Sequence, residues 1–198
     1  MPFSLAILAV VLVYTWAIEP IAPRWAAAVP TLVVIGLSIW RALRTGEWGV
    51  HRSALLPALL WAAAATAAAT LAMYLAGSLL GTWNNRRDAW SRLAVLVPWG
   101  LGQQFALQTV FLREAQAVLP KSSGIWLAAL LFAALHLPNP FLTAATALGA
   151  LAWCWIYMRH PNLLPLALSH AVATLAILYA FDDAITGGLK IGAAYLAR

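Results

Sequence analysis

The amino-acid sequence predicts an all-α fold, a polytopic bundle of seven to eight transmembrane helices within a single domain spanning residues 1–198. Hydrophobic residues make up 64% of the chain and charged residues 9%, and the mean hydropathy is +0.83. Soluble domains carry about 25% charged residues, so this chain is not one of them. Continuous apolar runs such as 54–81 also lack the alternating pattern of a transmembrane barrel.

A transmembrane helix needs about 20 mostly apolar residues. The apolar runs predict helices near residues 3–18, 26–40, 55–80, 93–112, 125–137, 141–158 and 163–180. The connections between them carry prolines, glycines or charges, and Pro138-Asn139-Pro140 joins the fifth and sixth runs in a tight turn. The chain opens directly into an apolar run without a basic stretch before it, which favours a retained first helix over a cleaved signal.

The net charge of +6 comes from arginines and lysines that lie in short loops. Anionic lipid headgroups explain this distribution, and we expect no nucleic-acid partner. Lysine and arginine counts on the two sides of a seven-span arrangement are equal, which leaves the orientation open. The sole cysteine, Cys154, lies inside an apolar run, so no internal disulfide can form.

Polar side chains interrupt three of the predicted spans. Gln103, Gln104 and Gln108 lie in the fourth run, His136 lies in the fifth, and His170 lies in the seventh. Amides and imidazoles are costly to place in hydrocarbon, so we expect them to face one another around one shared cavity. Pro98 and Gly100 precede the glutamines and predict a kink just before them.

Several simpler interpretations of these groups stay open. The glutamines suit interhelical packing, at about 0.6 kcal/mol for an average hydrogen bond in a membrane. We predict no cofactor, and keep as an alternative a metal bound by His136 and His170, with Cys154 as a candidate thiolate ligand; even a catalytic zinc takes three protein ligands. Another alternative is a haem bound by both histidines, which requires the two imidazole rings to lie at the same depth in the membrane. Ser169 precedes His170, but adjacent side chains on a helix point about 100° apart, which disfavours activation of the serine.

The chain has six carboxylates, and we assign each of them to a solvated position. Glu114 is predicted to form a surface ion pair with its neighbour Arg113, while Asp182 and Asp183 follow the last span. Glu19 lies in the first connecting turn. The predicted cavity therefore contains no acid.

The polar positions occur in an order that resembles a known family, the CPBP or Abi family of CAAX proteases and bacteriocin-processing enzymes. That family carries Glu-Glu-x-x-x-Arg on one helix, then Phe-x-x-x-His, and then His-x-x-x-Asn on a later helix. At the matching positions this chain has Gln103, Gln104 and Gln108, then Phe132 and His136, then His170 and Thr174. Order and spacing agree over residues 93–180, the family-like core.

The resemblance implies a CAAX-protease-like bundle with family-equivalent catalytic positions at Gln104, His136 and His170. In the family, a glutamate assisted by histidine is thought to activate water, and histidine with asparagine steadies the oxyanion. An amide cannot accept a proton near neutral pH, so the glutamines cannot replace the general base. Loss of such a base usually removes about 10² to 10⁴-fold of the rate.

These observations predict a non-catalytic, multi-pass protein, placed in the bacterial inner membrane, that binds a hydrophobic ligand or a partner's transmembrane helix. The expected partners are membrane lipids, a partner helix or a lipophilic small molecule. One alternative is an active intramembrane hydrolase that uses His136 or His170, and another is a structural subunit of a larger membrane complex. The predicted ligand-binding side chains are Gln103, Gln104, Gln108, Phe132, Asn139 and Thr174.

Overall fold

The computed structural model describes residues 1–84 and 88–197, apart from the side chain of Arg24. No strand occurs in these ranges, where Val50 and Asn162 form an isolated bridge. The α-helices are α1 Pro2–Val13, α2 Ala28–Thr45, α3 Leu55–Leu80, α4 Ala89–Phe105, α5 Arg113–Gln116, α6 Lys121–Ala134, α7 Pro140–Arg159, α8 Leu163–Ala180, α9 Asp183–Thr186 and α10 Gly192–Leu196. The predicted all-α fold is therefore confirmed.

Helical segments occupy every run that the sequence analysis assigned to a span. Within the described part of the chain, four are long and apolar enough to cross a membrane, namely Trp25–Thr45, Arg52–Leu80, Pro140–Arg159 and Leu163–Ala180. The apolar helices Pro2–Ile18 and Lys121–Ala134 are shorter. Large hydrophobic side chains are exposed along α2 and α3, where lipid rather than water is the compatible surrounding. The protein is an integral membrane protein.

Helix α8 lies at the centre of the packing, between α3 and α4, while α6 packs on α7 and α1 on α2. Two glycines let the helices approach α8 closely. A Cβ on Gly100 of α4 would lie 2.9 Å from the Ala167 carbonyl oxygen, and one on Gly77 of α3 would lie even nearer to that of Ala180. Small residues at such crossings are typical of membrane helix pairs, because they bring two backbones together.

The fourth run is one nearly continuous helical stretch from α4 through α5. Pro98 lies inside α4, which continues past it to Phe105. The departure from α-helical geometry comes later, as a π-helical segment over Ala106–Leu112. The irregularity expected before the glutamines is thus a π-helical segment that begins after Gln104 and contains Gln108. Such segments are frequent at functional sites.

Glu114 is not part of a surface ion pair with Arg113, and that prediction is wrong. Its carboxylate is buried and accepts hydrogen bonds from the backbone N–H groups of Phe3 at 3.2 Å and Ser4 at 2.8 Å. It thereby satisfies donors at the start of α1 that have no partner within the helix. Arg113 instead lies 3.3 Å from the carboxylate of Glu47.

Candidate functional site

The structure joins Gln104, Gln108 and His170 in a buried hydrogen-bonded chain. Gln108 Nε2 donates to Gln104 Oε1 at 3.0 Å, and Gln104 Nε2 lies 3.3 Å from His170 Nδ1. The two glutamine side chains are fully buried and His170 is 7% exposed. Because an amide nitrogen can only donate, His170 Nδ1 accepts, and a neutral ring carries its proton on Nε2. The close contact of α4 with α8 at Gly100, one turn before Gln104, makes this pairing possible.

Aromatic rings enclose the imidazole of His170. The indole of Trp153 stacks on it with ring centres 4.6 Å apart and an angle of 12°. The Phe132 ring meets it edge-on at 6.3 Å. These apolar faces exclude water from the histidine and restrict the rotation of its ring.

Ser169 does not serve His170, because its hydroxyl belongs to a separate hydrogen-bond chain. Trp153 Nε1 donates to Ser169 Oγ at 2.9 Å, and Ser169 Oγ lies 2.6 Å from Thr66 Oγ1. Thr66 donates its own proton to the Ala62 carbonyl, so Ser169 must donate to Thr66. The serine therefore holds Trp153 against His170, and its hydroxyl bonds to Trp153 and Thr66.

His136 also packs against Phe132, with ring centres 5.2 Å apart. Its Nδ1 is 2.9 Å from the Phe132 carbonyl oxygen, which can only accept. Nδ1 is therefore the protonated nitrogen of a neutral ring, and Nε2 is left as an acceptor. Phe132 thus pairs with the rings of both histidines.

A cavity of about 550 Å³ adjoins this arrangement and is walled by α1, α2, α4 and α6. Its polar lining includes Gln103 and His136, whereas Gln104, Gln108 and His170 are not among the lining residues. The remaining walls are mostly apolar, formed by side chains that include Ile7, Val34, Val95, Trp99, Phe111, Phe132 and Leu135. The five polar groups thus come close together, but they divide between a closed cluster and an open cavity instead of sharing one chamber.

The expectation of a cavity without an acid is wrong. Glu19 lines the same cavity as His136 and Gln103, together with Tyr14 and Thr15. Its Oε2 is buried and has no hydrogen-bond partner among the described residues. The sequence placed Glu19 in a solvated turn, but a π-helical turn at Tyr14–Ile18 prolongs α1 and carries the carboxylate to the cavity wall. No periodicity along the chain signals this placement.

Asn139 has a structural role at the start of α7. Its Oδ1 accepts from the N–H of Leu142, and its Nδ2 donates to the carbonyls of Thr186 at 2.8 Å and Lys190 at 3.0 Å. The side chain therefore caps the helix and ties down the segment after α8, with its donors already used. Thr174 lies one turn beyond His170 on α8 and is half-buried.

An apolar groove of about 650 Å³ lies between α3 and α8, and Ser169 and Thr66 are among its lining residues.

Within the described ranges, no three His, Cys, Asp or Glu side chains come together as a ligand set for a metal ion. Cys154 is buried and free.

Comparison with protein families supports the resemblance noted in the sequence. Residues 85–176 match the family model described as type II CAAX prenyl endopeptidase Rce1-like. The match covers somewhat less than half of the chain and includes every position of the three motifs. No curated protein and no solved structure matches. Over this segment, the chain is similar to the Rce1-like CAAX prenyl endopeptidases, in agreement with the resemblance of its motifs to the CPBP family.

Proposed function

We propose that this multi-pass protein binds a hydrophobic ligand in the cavity lined by Gln103 and His136, and that it lacks glutamate-based proteolysis. One observation carries the proposal. The family's paired-glutamate positions hold amides, and Gln104 is committed to a buried hydrogen-bonded chain with Gln108 and His170. No group in that chain is a carboxylate able to take a proton from water.

The cavity has the character of a ligand site. Its volume of about 550 Å³ falls within the range of small-molecule pockets, which are roughly 300–1,000 Å³ and mainly apolar with a few polar groups. The Gln103 amide suits an ester, amide or quinone carbonyl, because it offers both donors and an acceptor. Helices α2 and α4 both contribute walls, and they also carry exposed apolar side chains such as Leu32 and Val95. A lipophilic ligand is therefore compatible with these surroundings.

A steric block tests the proposal. Gly102 lines the cavity, and a Cβ added there meets nothing within 4 Å. We expect Gly102→Phe to fill the cavity and to lower the occupancy of a co-purified lipophilic molecule at least tenfold, as measured by native mass spectrometry. Gly36→Phe is the matched control, because Gly36 is equally open and does not line the cavity. Equal occupancy in both variants, or an empty wild-type protein, contradicts the proposal.

A second candidate function is hydrolysis with His136 as the base. Its support is the hydrogen bond to the Phe132 carbonyl, which leaves the Nε2 atom of a neutral ring free to accept a proton at the cavity. If His136 acts in this way, His136→Ala lowers turnover of a fluorescent membrane peptide or ester about 10² to 10⁴-fold. His51→Ala, which changes a histidine outside the cavity, leaves turnover unchanged. Equal turnover in wild type and His136→Ala rejects this candidate.

A further inference from the structure

We propose that the ligand of this cavity is an amphiphile with a protonated amine, and that Glu19 binds the amine while the apolar walls hold its chain. The proposal rests on the proposed function and adds the chemical class of the ligand. It starts from a carboxylate that neither the family motif nor the hydrophobic pattern accounts for.

Glu19 lies between the cavity and a smaller pocket, which is distinct from the groove between α3 and α8. It lines the cavity of about 550 Å³ and also a second pocket of about 400 Å³, and Tyr14 and Ala27 are likewise shared by both. The second pocket is formed by the turn after Glu19 and by α10, with Pro20, Pro23 and Ala194 among its lining residues. A headgroup at Glu19 therefore lies between the pocket at the first turn and the larger, mostly apolar cavity.

The charge of the lining favours a cation. Among the described lining residues of the cavity there is no lysine or arginine, and Glu19 is the acid they include. Its Oε2 is buried without a partner in the described part of the chain, and leaving such an oxygen unsatisfied is unfavourable, more so if it is charged. An ammonium group supplies the missing donor and a charge-assisted hydrogen bond. A carboxylate headgroup would instead place two like charges together.

The cavity also has the length needed for an apolar chain. Ile7 and Glu19 both line it and belong to the same helical stretch, Pro2–Ile18 with its cap at Glu19. Twelve residues separate them, which is about 18 Å at the rise of an α-helix. Deeper walls include Ile7 and Phe111, both fully buried side chains. The site therefore has the carboxylate of Glu19 at one end of this stretch and buried apolar side chains at the other.

The experiment compares three probes of equal chain length, namely dodecylamine, dodecanol and dodecanoate. Binding is measured by titration of the protein in phosphatidylcholine nanodiscs, with empty nanodiscs as the correction for partitioning into lipid. We expect dodecylamine to bind the wild-type protein at least tenfold more tightly than dodecanol, and dodecanoate to bind most weakly. In Glu19→Gln the preference for the amine over the alcohol falls to within about twofold.

The matched control is Glu47→Gln. Glu47 follows the C-terminal end of α2, does not line the cavity, and pairs with Arg41 and Arg113. It should keep the preference for the amine. A further arm adds phosphatidylethanolamine to the nanodiscs. Loss of dodecylamine binding in that arm identifies an aminoethyl lipid as a competing source of the amine, and unchanged binding identifies a free long-chain amine.

The outcomes separate this inference from the function on which it rests. If all three probes bind with similar affinity and Glu19→Gln changes nothing, the cavity binds hydrophobic ligands but the assignment of the amine is wrong. If dodecanoate binds best, the assignment is also wrong. If no probe binds and Gly102→Phe has no effect on co-purified lipid, the proposed function itself fails.

Discussion

Residues of one type have different roles in this site. Gln103 lines the cavity, while its neighbour Gln104 faces α8 and bonds to His170. Adjacent side chains on a helix point about 100° apart, which is enough to send one amide to a ligand space and the other to a protein partner. Gln108 lies one turn on and completes the buried chain through Gln104. The three glutamines are therefore not equivalent in what their replacement should do.

Ser169 offers a test of how His170 is held. Ser169→Ala removes the acceptor of the Trp153 indole N–H, which is then buried without a partner. We expect a loss of about 1–3 kcal/mol in the free energy of unfolding, the usual cost of an unsatisfied buried group. Thermal unfolding in nanodiscs measures it.

The control for this change is Ser91→Ala, because Ser91 bonds to the Asp88 carbonyl at an exposed position. It should shift stability by less than about 0.5 kcal/mol. Equal effects of the two substitutions would show that the hydrogen bond from Trp153 does not stabilise the protein.

At the scale of the elements, the crossing of α4 and α8 brings the polar groups together. Gly100 faces the Ala167 carbonyl and the Cβ of His170. The same approach places the Gln104 amide within hydrogen-bonding distance of His170 one turn later. A side chain at Gly100 would separate the helices and stretch that contact.

Gly100→Val should therefore destabilise the protein by about 1–3 kcal/mol, the typical cost of overpacking. Gly102→Val is the internal control. It lies in the same helix with open space around its Cβ, so it carries the change in helix propensity without the clash. Chemical denaturation in mild detergent compares the two variants, and a Gly102→Val protein as unstable as Gly100→Val would contradict the role of the crossing.

At the scale of the whole molecule, the positions that resemble the family's motifs lie on different helices of the bundle. Gln103 and Gln104 occur on α4, His136 follows α6, and His170 occurs on α8. The interior retains contact between the first and last of these helices through Gln104 and His170. A shared fold does not by itself convey activity, so the helical arrangement (the frame) and the catalytic chemistry need separate tests.

Restoring the family motif tests the frame. Gln103→Glu with Gln104→Glu and Gln108→Arg would place one carboxylate at the cavity that Gln103 lines and another beside His170. A carboxylate can accept a proton from water, whereas an amide cannot. We expect measurable cleavage of a membrane-embedded peptide, above the wild-type rate by about 10² or more. Adding His170→Ala to this triple variant should remove the gain. An inactive triple variant that remains folded would show that the frame is no longer competent for proteolysis.

Much of the architecture can be predicted from the sequence. Long apolar runs require helices in a membrane, because every backbone polar group must be satisfied within its own segment. The same cost explains why amides and imidazoles at depth are expected to meet, and Gln104, Gln108 and His170 do. The order and spacing of the motifs are likewise properties of the sequence alone, and they are sufficient to indicate the resemblance to the family.

The packing of distant segments decided the rest. Glu19 reaches the cavity, Glu114 caps α1, and Asn139 holds the segment after α8. Each of these side chains meets a partner or a space formed by residues far away in the chain. Periodicity reports which residues share a face of one helix, whereas the neighbour of that face depends on how closely other helices approach. A charged residue in a turn therefore looks solvated in the sequence and becomes part of a site only when the bundle closes around it.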